Sequence, residues 1–232
     1  EPQQSTTIEA FIQRAAVTYN VSDELSFFLA AQRGYRAGGA FLRQIPPSGT
    51  ATGRVEVGAY DPEYLTNYEV GFRSTWLSGR LTLNGNVFYS VWKDQQVSVQ
   101  GPSGAANDQI IINAGETDLY GAELVTDFQM SDGLDLFGSI AVLETDIKDF
   151  PFAYPGLPFD NLAGNDLPNS PNLSFTLGLN YEHRSGFFAN GSVNYTGERE
   201  SARNVAGLSE TELGTGRTQR LDARSVVNGR VG

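Results

Sequence analysis

Few side chains in this sequence could carry covalent chemistry. His183 is the single histidine, and the chain has no cysteine. A histidine can serve as a general base, but no G-x-S-x-G nucleophile motif lies near it. His183 is part of EHRSG, whose residue types are typical of a tight turn. We therefore predict that His183 is a polar turn residue and that the chain is not an enzyme.

Oxygen-bearing side chains cluster in three places. Glycoside hydrolysis needs two acids across a cleft, and Ca²⁺ prefers carboxylate and amide oxygens. The loop cluster lacks the EF-hand spacing, and Asn, Asp, Gly and Pro are the residues that turns require. We predict solvated loops here, with no metal ion and no cofactor. The acid pairs are Asp146 with Asp149 and Glu210 with Glu212, and the loop cluster is Asp160, Asn161, Asn165 and Asp166.

The overall composition excludes further classes of protein. The chain has 27 acidic and 16 basic residues and a net charge of -11, which argues against a nucleic-acid partner because such binding depends on neutralising phosphates. No run of about 18 apolar residues is present, so the sequence offers no membrane-spanning helix. The start of the chain lacks the basic and apolar parts of a secretion signal, and we expect any signal to lie upstream.

Strict alternation of apolar and polar residues predicts long β-strands. In RLTLNGNVFYSVWKDQQVSV (80–99), Leu81, Leu83, Val87 and Tyr89 share one face, and Asn and Thr fill the other. This run is roughly twice an ordinary strand and has the length that a tilted strand needs to cross a bilayer. Nine such strands are predicted, at 12–21, 25–35, 64–77, 80–99, 110–130, 133–146, 172–182, 186–197 and 220–232.

The connections between these strands alternate in length. VSDE, LSGR, MSDG and EHRSG are short turns, whereas 36–63, 100–109, 147–171 and 198–219 are long. Outer-membrane barrels have short periplasmic turns and long outer loops. The sequence therefore predicts an all-β fold, an antiparallel up-and-down segment of a transmembrane β-barrel in contact with outer-membrane lipid.

Aromatic residues on the apolar parity recur at two heights. Tyr and Trp favour the boundary between water and lipid, and a membrane barrel carries one aromatic girdle at each rim. A soluble sandwich would instead place its large side chains at the middle of each strand. Tyr19, Phe27, Trp76, Phe128, Tyr181 and Phe187 form the predicted belt near the short turns, and Tyr35, Tyr64, Tyr89 and Tyr195 the second belt.

The polar parity contains charged residues that are predicted to face the lumen. Glu69 and Arg73 share this face in strand 64–77, and Glu123 has the same parity in strand 110–130. We expect them to pair across neighbouring strands and hold the barrel. A contact with a plug or a solute is the functional alternative.

Four stretches carry a family resemblance: QRGYRAGGAF (32–41), YDPEYLTNYEVGFRSTWLSGRLTLNGNVFYSVWKDQQ (60–96), INAGETDLYGAELV (112–125) and GNDLPNSPNLSFTLGLNY (164–181). Their order and spacing resemble the C-terminal barrel half of TonB-dependent outer-membrane receptors over most of the chain. The combination of YEVGFRS, a tight turn and a long strand ending near DQQ is the specific part.

The resemblance implies a 22-stranded barrel with an N-terminal plug, in the outer membrane of a Gram-negative bacterium. Such receptors import scarce ligands with energy delivered through TonB, and a ferric siderophore is the expected ligand. Because no plug or TonB-contact segment is recognisable, residues 1–232 are expected to be a fragment of the barrel domain, without the plug and the last strands. A passive porin or structural barrel and a soluble β-sandwich binding module remain the alternatives. The sequence identifies no ligand-binding residue.

Overall fold

The described part of the chain consists mainly of antiparallel β-strands. The structure is a computed structural model that describes residues 10–45, 53–100, 109–149, 163–200 and 220–232. Within these ranges, no helix is long and apolar enough to cross a membrane. The strands are β1 (Arg14–Asn20), β2 (Leu25–Arg36), β3 (Gly39–Ile45), β4 (Arg54–Tyr60), β5 (Glu63–Trp76), β6 (Leu81–Gln100), β7 (Gln109–Ser131), β8 (Leu134–Asp149), β9 (Leu173–Glu182), β10 (Phe188–Thr196), β11 (Arg199–Glu200), β12 (Arg220–Leu221) and β13 (Arg224–Val231).

Nine strands form one up-and-down sheet in the order β1-β2-β5-β6-β7-β8-β9-β10-β13. The prediction of an antiparallel all-β fold is confirmed, and the nine predicted strands correspond to these nine, with ends that differ by a few residues. Sequence reasoning missed β3, β4 and β11 inside two of the long connections, and it predicted β12 and β13 as one strand. β3 pairs with β4, and β11 pairs with β12. Over the described ranges the large sheet is open, with β1 and β13 at its edges.

Left-handed glycines complete three of the short turns. Gly79, Gly133 and Gly186 have φ values of 91°, 91° and 89°. Tight hairpin turns require positive φ, which glycine adopts without steric cost. These turns fix the register of the strand pairs that they join.

The register gives the sheet one apolar and one polar face. Successive side chains of a strand point to opposite faces, and directly opposed residues of neighbouring strands share a face. One row across the apolar face consists of Leu29, Val70, Val87, Ala122, Val142 and Leu173. Among the described residues only Ala114 and Ile147 are buried hydrophobic residues. A soluble β-sandwich would bury one whole apolar face, and this sheet leaves its apolar face exposed.

The rows of opposed residues are inclined to the line of the short turns. The row that starts at Tyr19, one residue from the end of β1, reaches Tyr195 in β10, far from the β9–β10 turn. The climb is about seven residues over seven strand spacings, which corresponds to a strand tilt of about 35° at about 3.3 Å per residue and about 4.8 Å per spacing. Tilts of roughly 35–45° are typical of membrane barrels.

Phenylalanine stands directly opposite glycine at five positions in the paired strands. In each pair a Cβ atom on the glycine would lie 2.2–2.8 Å from a ring carbon, so the ring occupies the space above the glycine. Such aromatic–glycine pairing holds the register of strands that glycine would otherwise weaken. The pairs are Phe28–Gly71, Phe41–Gly58, Phe72–Gly85, Phe88–Gly121 and Phe137–Gly178.

Gly121 gives the sharpest test of this close packing. A Cβ there would lie 2.2 Å from the carbonyl oxygen of Val142 and 2.8 Å from Cζ of Phe88. We expect Gly121→Ala to lower the free energy of unfolding by about 1–3 kcal/mol, because the backbone of β8 must shift. Gly34→Ala is the matched control, since no atom lies within 4 Å of its added Cβ. Urea titration of the refolded barrel measures both, and equal midpoints for the two variants would contradict this account.

Candidate functional site

Nine of the ten residues of the two predicted aromatic belts lie on the apolar face by strand alternation, and Phe187 precedes β10 with its ring centroid 6.4 Å from that of Tyr181. Tyr35 is opposite Tyr64, with ring centroids 6.4 Å apart. Phe175 and Tyr195 stack at 4.9 Å. Because the rows are tilted, one row joins residues at different heights. Tyr19 and Phe27 lie near the short turns, and Tyr195 in the same row lies near the long-connection end of its strand. The aromatic residues are Tyr19, Phe27, Trp76, Phe128, Tyr181, Phe187, Tyr35, Tyr64, Tyr89 and Tyr195.

A band of aliphatic side chains lies between these aromatic residues. It contains a shallow groove of about 520 Å³ above Gly85 and Ala122, where the side chains are smallest. Leu29 and Val87 are 57% and 56% exposed. Large contiguous apolar surfaces of this kind mark a membrane or partner contact.

The polar face carries side-chain hydrogen bonds between neighbouring strands. The Ser90 hydroxyl donates to Asn67 Oδ1 at 2.7 Å. Thr176 donates to Asn194 at 2.9 Å, and Asn190 to Asn180 at 2.8 Å. Cross-strand hydrogen bonds of this type stabilise the sheet, and they leave a hydrophilic wall.

Glu69, Arg73 and Glu123 lie on this polar face by alternation. The Arg73 guanidinium stands over the ring of Phe28, with 4.9 Å between its carbon and the ring centroid. Within the part of the chain that the structure describes, the three residues form no ion pair with one another, and neither glutamate has a hydrogen bond or ion pair to a described residue. Their directly opposed neighbours are Ala30 and Phe88 for Glu69, Ser26 and Asn84 for Arg73, and Asn86 and Ala141 for Glu123.

The other residues considered for chemistry are dispersed. Nδ1 of His183 accepts a hydrogen bond from the backbone N–H of Ser185 at 3.2 Å and lies 2.8 Å from its hydroxyl, all within one turn. Asp146 pairs with Lys148. Glu210, Glu212, Asp160 and Asn161 lie outside the described residues. In the ranges that are described, no three His, Asp or Glu side chains converge in a way that could hold a metal ion.

A kink interrupts the ladder near the long-connection end of β6 and β7. Asp94 and Gly115 occupy opposing positions and both have left-handed φ values, 55° and 67°. Asp and Gly are among the residues that adopt this conformation most readily. The strands continue beyond the kink, and five buried residues lie beside it: Gln95, Ala114, Thr117, Thr145 and Ile147.

Four polar side chains beside the kink form one connected network, which we call the rim cluster: Arg36, Glu63, Gln96 and Asn113. Arg36 Nε lies 3.0 Å from Glu63 Oε1 and donates to Gln96 Oε1 at 2.9 Å. Glu63 Oε2 accepts the backbone N–H of Gln96 at 2.7 Å, and the Glu63 side chain is 8% exposed. Glu63 is the buried member of this cluster, whereas the Arg36 side chain is 59% exposed. Sequence reasoning missed all four residues, although DQQ (94–96) was part of the family resemblance.

The segment 163–172 packs along the long-connection end of β8. Leu167 donates its backbone N–H to Thr145 Oγ1 at 2.9 Å, and Ile147 donates to the Asn165 carbonyl at 3.1 Å. Partial burial raises the pKa of the Asp166 carboxyl, and the carboxylates of Glu144 and Glu200 raise it further.

An open, tilted, two-faced sheet with aromatic residues bordering an apolar band is the wall of a membrane β-barrel. A family model described as "TonB dependent receptor-like, beta-barrel" matches residues 3–232. The chain therefore belongs to the TonB-dependent receptor family, as the sequence resemblance predicted. This family consists of receptors of the Gram-negative outer membrane.

The chain is similar to several outer-membrane receptors in sequence or in structure. The metal-pseudopaline receptor CntO of Pseudomonas aeruginosa is 29% identical over 215 residues, which are 90% of this chain and 26% of that protein. The ferric yersiniabactin uptake receptor FyuA of Yersinia pestis superposes with a TM-score of 0.66 at 19% identity, covering 94% of this chain and 29% of that one. The ferripyoverdine receptor of the Pseudomonas aeruginosa outer membrane gives 0.61 at 12% identity, with 95% and 26% coverage. The chain thus spans about a quarter to a third of the length of these proteins.

Protonation of Asp166 is expected to tighten the 163–172 segment. Because its pKa is raised in the folded protein, the stabilisation is fully present below the ordinary pKa of an aspartate and is lost as the pH rises through the raised value. At pH 7 we expect Asp166→Asn to slow amide hydrogen exchange at 164–167 by about threefold or more. The difference from the wild type should vanish in acid. Asp132→Asn, in the opposite short turn, is the control, and an equal effect of the two substitutions would contradict the assignment.

Proposed function

We propose that this chain is part of the barrel wall of a TonB-dependent importer, which carries a metal complex of a small chelator across the Gram-negative outer membrane. The observation that supports this most directly is the two-faced sheet, because its apolar face suits lipid and its polar face suits a wet lumen. Family membership adds TonB-driven transport to the proposal. A ferric siderophore is the first ligand to test, since the relatives named above are receptors for metal–chelator complexes.

Residues 1–232 are proposed to be one part of a barrel domain whose plug and remaining strands lie elsewhere in the protein. Two observations support this. The relatives are three to four times longer than the matched region, and the described sheet ends in two unpaired edges. Lipid cannot satisfy unpaired backbone groups, so an open edge is not viable within a bilayer. Closure needs further strands.

The polar face is proposed to contact whatever fills the lumen. Glu69 and Glu123 hold two carboxylates without ion-pair partners among the described residues, and the Arg73 guanidinium lies over the ring of Phe28 on the same face. Such groups suit charged side chains of a plug or a polar solute, which was the functional alternative to cross-strand pairing. No side chain here is assigned to covalent chemistry, and we propose no enzymatic activity.

The long-connection end is proposed to face the outside of the cell. In barrels of this class the long loops are extracellular. Here that end carries the β3–β4 hairpin, the β11–β12 pair and the 163–172 segment. Hairpin side chains such as Phe41, which stacks near Tyr60 with centroids 6.4 Å apart, then border the outer mouth.

The assignment of the two faces can be tested at adjacent residues. Val87 lies at the centre of the apolar band, and Asn86 is opposite Glu123 on the polar face. We expect Val87→Arg to lower the free energy of unfolding from lipid vesicles by about 2–4 kcal/mol, as for an arginine at the bilayer midplane. Asn86→Arg should change it by less than about 1 kcal/mol. A larger loss for Asn86→Arg would reverse the proposed faces.

Import itself can be tested in cells that lack the gene encoding this chain. We expect complementation with the complete gene to restore uptake of radioactive iron supplied as the organism's own ferric siderophore. Uptake should stop when TonB is also deleted, because the energy comes from the inner membrane. The same uptake assay with other radioactive metal ions, supplied with and without chelator, identifies the metal that is imported.

Two results of this assay would contradict the proposal. Uptake that persists without TonB would indicate a passive porin. Equal uptake with and without the gene, across all metals and chelators, would exclude import of this ligand class.

A further inference from the structure

The β3–β4 hairpin is bound to strands that are distant from it in sequence. The chain leaves the large sheet after β2, forms the hairpin and rejoins the sheet at β5. The two hairpin strands nevertheless lie against β7. Only the residues Ala37–Gly38 and Asp61–Pro62 join its two ends to the wall. A Cβ on Gly38 would lie 2.3 Å from the carbonyl oxygen of Tyr60, so the two ends run in close contact. The hairpin is therefore a single unit, and we call the two short connecting segments, 37–38 and 61–62, its tether.

Gln96 binds both ends of this tether. Its Nε2 donates to the carbonyl of Ala37 at 2.9 Å and to that of Asp61 at 3.0 Å. Its Oε1 accepts from Arg36 Nε, and its backbone N–H donates to Glu63. One side chain thus connects the outgoing end, the returning end and β6.

Asn113 of β7 repeats this arrangement from the opposing position. Asn113 and Gln96 are directly paired across the two strands. Asn113 Oδ1 accepts the backbone N–H of Asp61 at 2.6 Å, and its Nδ2 donates to the carbonyls of Asp61 at 2.8 Å and Asp94 at 2.9 Å. The carbonyl of Asp94 belongs to the kink, so the left-handed backbone there forms part of the attachment.

We propose that the β3–β4 hairpin is a strap over the mouth of the barrel, and that Gln96 and Asn113 are the positioning residues that latch it closed. The inference rests on the proposed function in one respect, namely that the mouth is the outer opening of an importer. The latch itself depends only on these contacts. Release of two amide side chains would free the hairpin as a unit while the wall strands keep their ladders.

The chemistry of the latch requires amides. Gln96 and Asn113 each donate to backbone carbonyls and accept a hydrogen bond through the same side-chain group, and a carboxylate cannot donate. Gln96→Glu would lose the bonds that Nε2 donates to the carbonyls of Arg36, Ala37 and Asp61, and it would place a second carboxylate beside Glu63. Asn113→Asp would lose both bonds from Nδ2 but keep the acceptor for Asp61. Both substitutions preserve side-chain shape, so they separate hydrogen bonding from packing.

Amide hydrogen exchange of the complete receptor in detergent tests the latch without any ligand. We expect Gln96→Glu and Asn113→Asp to accelerate exchange at 39–45 and 54–60 by about tenfold, because each loses the hydrogen bonds that its amide nitrogen donates to backbone carbonyls. Exchange at 64–76 and 81–93 should be unchanged. The matched control is Gln129→Glu, the same chemical change at an exposed side chain near the opposite rim.

A second measurement reports the position of the hairpin. Nitroxides at Val57→Cys and Leu124→Cys give a distance between hairpin and wall, and the distribution should broaden in both latch variants. Unchanged exchange in the hairpin would overturn the proposal. Equal acceleration of hairpin and wall would also overturn it, because the amides would then stabilise the whole barrel. Neither result depends on import, so a failure of the latch is distinguishable from a failure of the proposed function.

Discussion

Backbone hydrogen bonding in one continuous antiparallel ladder is the constraint on which this molecule depends. Each pairing fixes which residues are opposed, and opposed residues share a face. A slip of one residue in any pair would turn the apolar side chains of a strand toward the polar side. The left-handed turn glycines and the phenylalanine–glycine pairs therefore act together, because both hold the register on which the separation of the two faces depends.

The nine long strands could be predicted because their signal is local. Alternation between residues i and i+2 depends only on the strand itself, and the short turns contain Gly, Ser and Asp. The β3–β4 hairpin was missed although GAFLRQI and RVEVGAY are also partly alternating. It was missed because the whole of 36–63 was interpreted as one long connection between strands. The phenylalanine–glycine pairs could not be predicted, since they exist only once the register is known.

The rim cluster shows a different limit of sequence reasoning. Arg36 and Gln96 are 60 residues apart, and their contact follows from the path of a hairpin that local patterns did not reveal. Glu69, Arg73 and Glu123 were easy to place on a face, because parity suffices for that. Cross-strand ion pairs were expected, but the residues opposite them are uncharged. Alternation specifies the direction of a side chain and not its neighbour.

The inclination of the residue rows gives the polar wall the geometry of a screw thread. Rows of side chains that climb at about 35° form parallel ridges, and the grooves between them have the same slope. A body that lies along one such row meets side chains whose height changes by about one residue from each strand to the next. Its contacts with this wall therefore form a helix and not a ring.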